Sequence, residues 1–442
     1  MNKIKGIPII IMSLFIYNSC TTTKKVGINK TSKIGNITFN YTHDNVDSWS
    51  NEDVINNSLG AFSLEGDGST KLYEYILGTY AIKAKIKNHN EERDVCFIVD
   101  TGAQGNVISQ NTLKTFGIAF EERFKFYNSY TYSPQANGKV KGVIIPEFIA
   151  EGFVMKDVLF MPSDVDDFGC LDDGTPVNGF LGMRILSELP LLFSAKDKKL
   201  IFFDNGFKPK GIEYLLEQKN AFVLEIPLTI ENKRYLVKLD TGGNTNYIPY
   251  NLYKKMSKKI DGKIELRMSG LRRYMGLIDS MDFIGKECKN LPIVSQKNYM
   301  IIGLDNFVML GETVLRNFDI YLDYKNSRLY LNPIEYDFPK HSMLLVYTSG
   351  GGNRYGYYGL NLIRDKYNHK LRVSSLYYQN NKKLCPEIKL GDYVLSINGI
   401  NQQNFNLEDL QDYETVEMVL QHKKKVYTVN LDRKHFENCL EY

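Results

Sequence analysis

Residues 97–103 read FIVDTGA, and residues 237–243 read VKLDTGG. Each stretch is a short apolar, β-prone run that ends in an aspartate and a tight Thr-Gly turn. A single Asp-Thr-Gly occurs often by chance and marks an ordinary surface turn. Two copies in matching contexts indicate two half-sites that bring the carboxylates of Asp100 and Asp240 face to face.

The two stretches belong to an internal repeat. Alternating apolar residues predict a strand at 80–87, a turn and a strand at 93–99 before Asp100. The second copy repeats this order with strands at 222–230 and 234–239 before Asp240. In both copies an apolar pair, a glycine, a short helix and a hairpin follow, and the glycine permits close backbone approach to the aspartate loop.

Paired carboxylates suit the hydrolysis of an amide bond. Two carboxylates held close together cannot both ionise cheaply, so they share one proton. The ionised carboxylate then takes a proton from an attacking water, while the protonated one hydrogen-bonds the carbonyl oxygen that gains charge. Asp100 and Asp240 are therefore the candidate catalytic residues.

Together these motifs resemble the psi-loops of pepsin-like and retropepsin-like aspartic peptidases. Residues 310–324, LGETVLRNFDIYLDY, are similar to the C-terminal stretch of pepsin-like enzymes, and the similarity spans residues 80–333. The resemblance implies a mainly β fold with two acid-protease β-barrel lobes, at residues 71–211 and 212–335. The flaps of such lobes would fall at residues 127–138 and 268–275, with Tyr130, Tyr132 and Tyr274 as candidate residues. The preferred alternative is that these tyrosines are ordinary strand residues.

The same resemblance assigns supporting roles within the two motifs. Thr101 and Thr241 would hydrogen-bond across the junction of the lobes and hold the two loops together. Gly102 and Gly242 would permit the turns and present backbone N–H groups to the carboxylates. The chain departs from most pepsin-like enzymes in the next residue, which is alanine or glycine rather than serine or threonine.

The C-terminal part carries a different pattern. Residues 358–362, YGLNL, resemble the Gly-Leu-Gly-Phe carboxylate-binding loop of PDZ domains, and residues 388–399, IKLGDYVLSING, resemble their most recognisable stretch. The resemblance implies a PDZ-like α+β domain at 340–435 that binds the C-termini of substrates or partners. Its carboxylate loop would consist of Gly359, Leu360, Asn361 and Leu362. Alternatively, the groove is self-occupied or the domain only packs on the lobes.

The N-terminus indicates export. Lys3 and Lys5 precede a mostly apolar run at 7–17, and Ser19-Cys20 follows. The pattern resembles a bacterial lipoprotein signal at residues 1–20, which implies that Cys20 becomes lipid-modified; a plain secretory signal is the alternative. Polar residues 21–70 read as a tether. We therefore expect a protein of the bacterial cell envelope, lipid-anchored to a membrane and facing the periplasm or the cell surface.

Composition excludes several classes of function. Over 442 residues the net charge is only +4, too weak a field to imply a nucleic-acid partner. The six cysteines do not indicate a disulfide framework, although one or two bridges are compatible with export. The histidines form no HExxH motif, and neither a P-loop nor a GxSxG elbow is present. Neither a metal nor another cofactor is expected.

The sequence thus predicts an aspartic endopeptidase that acts on peptide or protein substrates. A catalytically silent peptide-binding lipoprotein, which uses the cleft and the PDZ-like groove to hold its ligands, is the alternative. The presence of both aspartates favours the enzyme. An enzyme that assembles its site from two chains is a further alternative.

Overall fold

The computed structural model describes the greater part of the chain: residues 31–34, 37–42, 61–75, 79–88, 91–103, 105–116, 121–127, 139–163, 168–171, 173–216, 224–230, 233–256, 260–268, 271–298, 308–336, 358–364, 370–379 and 382–433. Most of these residues lie in β-strands, with four short α-helices and one 3₁₀ helix among them. The predicted mainly β fold is therefore confirmed. The chain divides into two compact units: unit 1 comprises residues 1–244 and 308–339, and unit 2 comprises residues 245–307 and 340–442.

The first part of unit 1 contains seventeen strands and two helices in the described residues. The strands are β1 (Thr31–Ile34), β2 (Ile37–Thr42), β3 (Ala61–Leu64), β4 (Ser69–Lys71), β5 (Tyr73–Glu74), β6 (Tyr80–Asn88), β7 (Glu91–Val99), β8 (Asn106–Ser109), β9 (Glu121–Tyr127), β10 (Lys139–Ala150), β11 (Phe153–Ser163), β12 (Gly179–Leu181), β13 (Leu191–Ser194), β14 (Lys199–Phe202), β15 (Ile212–Leu215), β16 (Glu225–Ile230) and β17 (Lys233–Leu239). The helices are α1 (Gln110–Phe116) and α2 (Met183–Leu186).

The remaining elements alternate between the units. Unit 2 contributes β18 (Asn246–Tyr247), α3 (Tyr250–Met256), β19 (Ile260–Met268), β20 (Leu271–Phe283) and β21 (Lys286–Asn298). Unit 1 resumes with β22 (Val308–Leu310), α4 (Glu312–Leu315), β23 (Phe318–Asp323) and β24 (Arg328–Pro333). Unit 2 ends with β25 (Leu360–Arg364), β26 (Leu371–Gln379), β27 (Lys382–Lys383), β28 (Tyr393–Ile397), β29 (Ile400–Asn401), the 3₁₀ helix (Leu407–Asp412), β30 (Thr415–His422) and β31 (Lys425–Asp432).

One sheet of unit 1 is built around β7. Its strands follow the order β1-β2-β9-β10-β11-β8-β12-β7-β6-β5, so that β12 lies between β7 and β8. Strand β7 pairs antiparallel with β6 and parallel with β12. Its first four residues are exposed and its last five are buried, as expected for a strand that enters the core from the surface.

Both faces of the buried end of β7 carry apolar side chains. On one face Phe97 contacts Phe148 and Phe160, with ring centroids 5.7 and 5.3 Å apart. On the other face Ile98 packs in a cluster with Ala81 and Phe180. Apolar residues on both faces are typical of a strand covered from both sides. They bury the end of β7, and with it the residue that follows.

A second sheet of unit 1 joins the two copies of the repeat. Its order is β15-β24-β23-β13-β14-β4, in which hairpin β13–β14 comes from the first copy and hairpin β23–β24 from the second. Strands β13 and β23 pair antiparallel, with Leu191 opposite Leu322. The Ser194 hydroxyl also donates to Asp319 at 2.7 Å. The C-terminal hairpins of the two copies thus form one continuous sheet.

In unit 2 a long antiparallel meander, β19-β20-β21, continues into the C-terminal strands. Strand β19 pairs with β26, and Leu266 lies opposite Tyr377. Beside this pair the Arg267 guanidinium stacks over Tyr378, 3.7 Å from the ring centroid. The C-terminal strands enclose their own apolar core, which includes Leu360, Leu362, Val373, Ile388, Ile397 and Met418.

Several boundaries differ from the sequence predictions. Within the segment predicted as a tether, β1 and β2 form a hairpin, and β2 also pairs with β9. The alternation of Ile37, Phe39 and Tyr41 with polar residues explains this strand, although the segment as a whole is polar. Residues 212–335, predicted as one lobe, are shared between the two units.

Two further findings bear on the predictions. Within the described residues, Cys96, Cys170, Cys288 and Cys385 form no disulfide, whereas Cys20 and Cys439 lie outside those residues. Within the described ranges, no helix has the length and apolar character needed to cross a membrane.

Candidate active site

Both aspartates follow directly on a buried strand, and a parallel neighbour fixes each of them. Strand β12 pairs with β7, and the Asp100 N–H donates to Leu181 O at 2.9 Å. Strand β22 pairs with β17 in the same way, and the Asp240 N–H donates to Leu310 O at 2.9 Å. The two copies thus place their aspartates by the same backbone contacts.

A glycine follows each parallel strand, Gly182 after β12 and Gly311 after β22. At Gly182 the surrounding backbone leaves no room for a side chain. At Gly182 a Cβ atom would lie only 2.4 Å from Gly105 O, so a side chain would collide with the loop after Asp100. The next residue ties this segment to the Asp100 loop, because the Met183 N–H donates to Ala103 O at 2.8 Å. In the second copy the Glu312 N–H donates to Gly243 O at 2.6 Å.

The two aspartate loops are joined by a reciprocal network of threonine hydrogen bonds. The Thr101 hydroxyl donates to Leu239 O at 2.9 Å and accepts from the Thr241 N–H at 3.0 Å. The Thr241 hydroxyl donates to Val99 O at 2.8 Å and accepts from the Thr101 N–H at 3.1 Å. Each threonine thus makes two hydrogen bonds to the opposite hairpin. Each loop is held by the strand that carries the other aspartate.

The loops bring the two carboxyls together in the interior. Asp100 is 4% exposed and Asp240 is 0% exposed. A Cβ atom on Gly102 would lie 2.2 Å from Asp240 Cγ, and one on Gly242 would lie 2.4 Å from Asp100 Cγ. Each glycine therefore provides the space for the opposite carboxyl. The two carboxyls are close enough for the negative charge of Asp240 to act on Asp100.

Backbone N–H groups of the loops point at the carboxyl oxygens. Asp100 Oδ1 accepts from the Gly102 N–H at 2.8 Å and the Ala103 N–H at 3.0 Å. Asp240 Oδ1 accepts from the Gly242 N–H at 3.0 Å. In the part of the chain that the structure describes, no N–H group reaches Asp240 Oδ2.

The surroundings act on the acidity of Asp100 in opposite directions. Burial and, after it, the negative charge of Asp240 hold the pKa of Asp100 well above its usual range. The positive charge of Lys238 and the Gly102 N–H act to lower the same pKa. Because two adjacent buried carboxyls cannot both ionise cheaply, the pair favours a state with one shared proton. Such a pair has both a proton donor and a proton acceptor available at one place.

Three buried ionisable residues around the dyad were not predicted from the sequence. Glu225, Lys238 and Glu312 are each 2% exposed or less. Burial raises the pKa of Glu225 to about 7, and the charge of Lys238 acts to lower it. Burial also raises the pKa of Glu312 well above its usual range, and the charge of Asp240 raises it further.

The internal repeat holds the signal that could have identified these three residues. Three positions of the second copy are equivalent to positions of the first by strand register and backbone hydrogen bonding. Glu225 corresponds to Ala81, Lys238 to Ile98, and Glu312 to Met183. A charged residue aligned with a buried apolar one is conspicuous once the two copies are compared position by position.

The predicted carboxylate loop of the C-terminal part begins at Gly359, which has a φ of +78°. Only glycine adopts this conformation without strain, and a Cβ atom there would also lie 2.7 Å from the Cβ of Leu384. Leu360 and Leu362 are buried in the core of these strands. The Asn361 side chain is fully buried and donates to the Ser375 hydroxyl at 2.8 Å.

Of the other candidates, Cys20, Tyr130 and Tyr132 lie outside the described residues. Tyr274 lies on β20 and packs on Tyr250 and Tyr253, with ring centroids 4.8 and 5.6 Å away. Among the described side chains, no group of three or more His, Cys, Asp or Glu is placed to hold a metal ion.

Comparison with models of known protein families yields no match. Comparison with curated proteins yields none either.

Proposed function

We propose that this protein is an aspartic endopeptidase whose catalytic groups are Asp100 and Asp240. The observation that carries the proposal is the dyad itself: two buried carboxyls, each packed against the glycine of the opposite loop and each receiving N–H groups from its own loop. The reciprocal threonine bonds and the opposed glycines support it, because they hold both carboxyls in one place. Positioning of this kind is what acid–base catalysis requires.

In this mechanism one water molecule attacks the peptide carbonyl. The ionised carboxylate removes a proton from the water as its oxygen bonds to the carbonyl carbon. The protonated carboxyl donates a hydrogen bond to the carbonyl oxygen, which gains negative charge. Collapse of the tetrahedral intermediate breaks the C–N bond, and a proton passes to the leaving nitrogen. The pair ends with one proton, ready for another cycle.

We also propose that unit 1 carries the core of a bilobal fold of the pepsin or retropepsin type. Three features support this fold: the repeated hairpins, the crossing strands β12 and β22 behind each aspartate, and the sheet that combines hairpins from both copies. The two aspartates lie on one chain and in one compact unit. This arrangement favours a site that is complete within a single chain.

For the C-terminal strands we propose a PDZ-like domain that binds protein C-termini. The left-handed Gly359 and the strand β25 that follows it support the proposal, because strand addition needs such a loop beside a strand edge. The test is binding of peptides with a free C-terminal carboxylate against their amidated forms. Preference for the free carboxylate is expected, and equal binding would leave a packing role only.

We propose, finally, a lipid anchor at Cys20 that places the protein in the bacterial cell envelope. The support is the N-terminal sequence pattern alone. Mass spectrometry of the mature N-terminus tests it. A diacylated cysteine is expected, whereas an unmodified N-terminus produced by cleavage elsewhere would contradict it.

The decisive experiment for the enzyme is hydrolysis of a denatured protein substrate by the wild type, Asp100→Asn and Asp240→Asn. We expect cleavage by the wild type and its loss in both variants, because each carboxyl carries a different part of the proton transfer. Both variants should remain folded, since asparagine has nearly the same shape. Binding without hydrolysis by the wild type would instead indicate the silent peptide-binding protein. Full activity in either variant would contradict the dyad.

A further inference from the structure

The two hairpins that deliver the aspartates differ at one pair of equivalent positions. In the first copy Ile98, two residues before Asp100, lies opposite Ala81. In the second copy Lys238, two residues before Asp240, lies opposite Glu225. All four side chains are 2% exposed or less. An apolar pair in one copy is thus replaced by an acid and a base in the other.

Lys238 lies close to the dyad in the chain and on the same side of the hairpin as Asp240. Side chains two apart on a strand project from the same face, so Lys238 lies on the face of the Asp240 side chain. Its positive charge acts on Glu225 across the hairpin and on Asp100 of the first copy. The other ionisable groups whose charges act around the dyad are Glu74, Tyr80, Glu312 and Arg316.

The hairpin of the first copy forms without an acid and a base at these positions. The Ala81–Ile98 pair supports the same hairpin geometry in the first copy with no charge at all. Burying an acid and a base is costly, and replacing such a pair with apolar residues of similar volume is often neutral or stabilising. A role in the site is therefore the better explanation of the pair.

We propose that Lys238 is a positioning residue that stabilises the single negative charge of the dyad. Its side chain is 1% exposed, lies opposite Glu225 on the hairpin and is on the same face as Asp240. The first copy has an isoleucine at the equivalent position, so only the second copy brings a buried positive charge to this place.

This inference rests on the proposed peptidase function and is tested by the pH dependence of kcat/KM. Two variants remove the ammonium: Lys238→Met, and the double variant Glu225→Ala/Lys238→Ile, which copies the first hairpin. Without the positive charge the dyad ionises less readily, so the acidic limb should move to higher pH by about one unit. The control is Glu225→Gln, which keeps the ammonium. Because Glu225 is largely protonated below neutral pH, this control should leave the acidic limb in place.

The outcomes separate this proposal from the proposed function. Lack of hydrolysis by the wild type, or activity in Asp100→Asn, contradicts the peptidase itself. An unchanged acidic limb in both ammonium-free variants, with activity retained, overturns the role of Lys238 and leaves the dyad intact. Loss of folding in both variants, followed by circular dichroism, overturns it as well, because the pair would then be needed for the fold.

Discussion

The hairpin β6–β7 and the hairpin β16–β17 have the same backbone arrangement but carry different side chains. Each ends in an aspartate whose N–H donates to a parallel strand at 2.9 Å, and each aspartate loop is closed by a helix N-terminal N–H group. Around this common frame the first copy places Ala81, Ile98 and Met183, and the second places Glu225, Lys238 and Glu312. The comparison shows that the common backbone arrangement brings the two carboxyls together. Among the described residues of the two hairpins and crossings, the second copy supplies the additional buried ionisable groups.

The glycines should give the largest effect and the same effect in both copies. In Gly102→Ala and Gly242→Ala the new Cβ atom would lie 2.2 and 2.4 Å from the Cγ atom of the opposite aspartate. Since misplacing a catalytic group by about 1 Å can cost on the order of 100-fold, we expect at least that loss of kcat/KM.

Gly243→Ala is the matched control for these variants. Its Cβ atom would lie 3.2 Å from the flexible end of Met309 and 3.3 Å from Cγ and Oδ2 of Asp240, about 1 Å farther from a carboxyl than in the other two variants, and the equivalent residue of the first copy is already Ala103. It should keep activity within a small factor of the wild type. A large loss in only one of Gly102→Ala and Gly242→Ala would show that the two glycines are not equivalent, which would contradict the common backbone arrangement of the two copies.

The threonines should give the next largest effect, measured as stability. Thr101→Ala and Thr241→Ala each remove two hydrogen bonds between the hairpins and leave a buried carbonyl and a buried N–H unpaired. Each unpaired buried group costs about 1–3 kcal/mol. We expect denaturant midpoints to fall by similar amounts in the two variants. Thr101→Ser and Thr241→Ser keep the hydroxyl and should recover most of the loss, whereas unequal losses would mean that only one loop depends on the network.

Sequence patterns predicted the common frame well. The hairpins before Asp100 and Asp240 were placed within a few residues, because alternation and the Thr-Gly turn are local signals. The short helices after Gly182 and Gly311 and the hairpins that follow them are also present. Repetition made these predictions secure, since the same pattern occurs twice.

The differences between the copies could not be predicted in this way. Glu225 and Lys238 read as ordinary polar strand residues, because a sequence does not show which face of a hairpin is covered. Their burial depends on strands far away in the chain, such as β22 beside β17. The pairing of β19 with β26 has the same origin, because more than one hundred residues separate Leu266 from Tyr377. Such long-range pairings leave no local pattern.

Through Glu225, the second copy should also make the free energy of unfolding depend on pH. The pKa of Glu225 is raised by burial to about 7, from the 4.5 of a free glutamate. The folded protein therefore binds the proton more tightly than the unfolded chain. The stability from this group is present below about pH 4.5 and is lost as the pH rises to about 7. We expect a loss on the order of 3 kcal/mol, because one pKa unit corresponds to about 1.4 kcal/mol.

Glu225→Gln is the matched variant for this effect. It cannot ionise, so the free energy of unfolding should depend less on pH over this range than in the wild type. Denaturant unfolding at several pH values provides the measurement. The same slope in both proteins would show that Glu225 keeps an ordinary acidity, and that the second copy differs less from the first than proposed.

The central claim is that Asp100 and Asp240 share one proton, and carboxyl carbon-13 NMR of the wild type across a pH titration tests it most directly. Spectra of Asp100→Asn and Asp240→Asn assign the two resonances. We predict two widely separated ionisation steps that both resonances report, with one proton kept by the pair above the usual range of aspartate. Two independent ionisations, each near pH 4 and each seen by one resonance only, would contradict the shared-proton site.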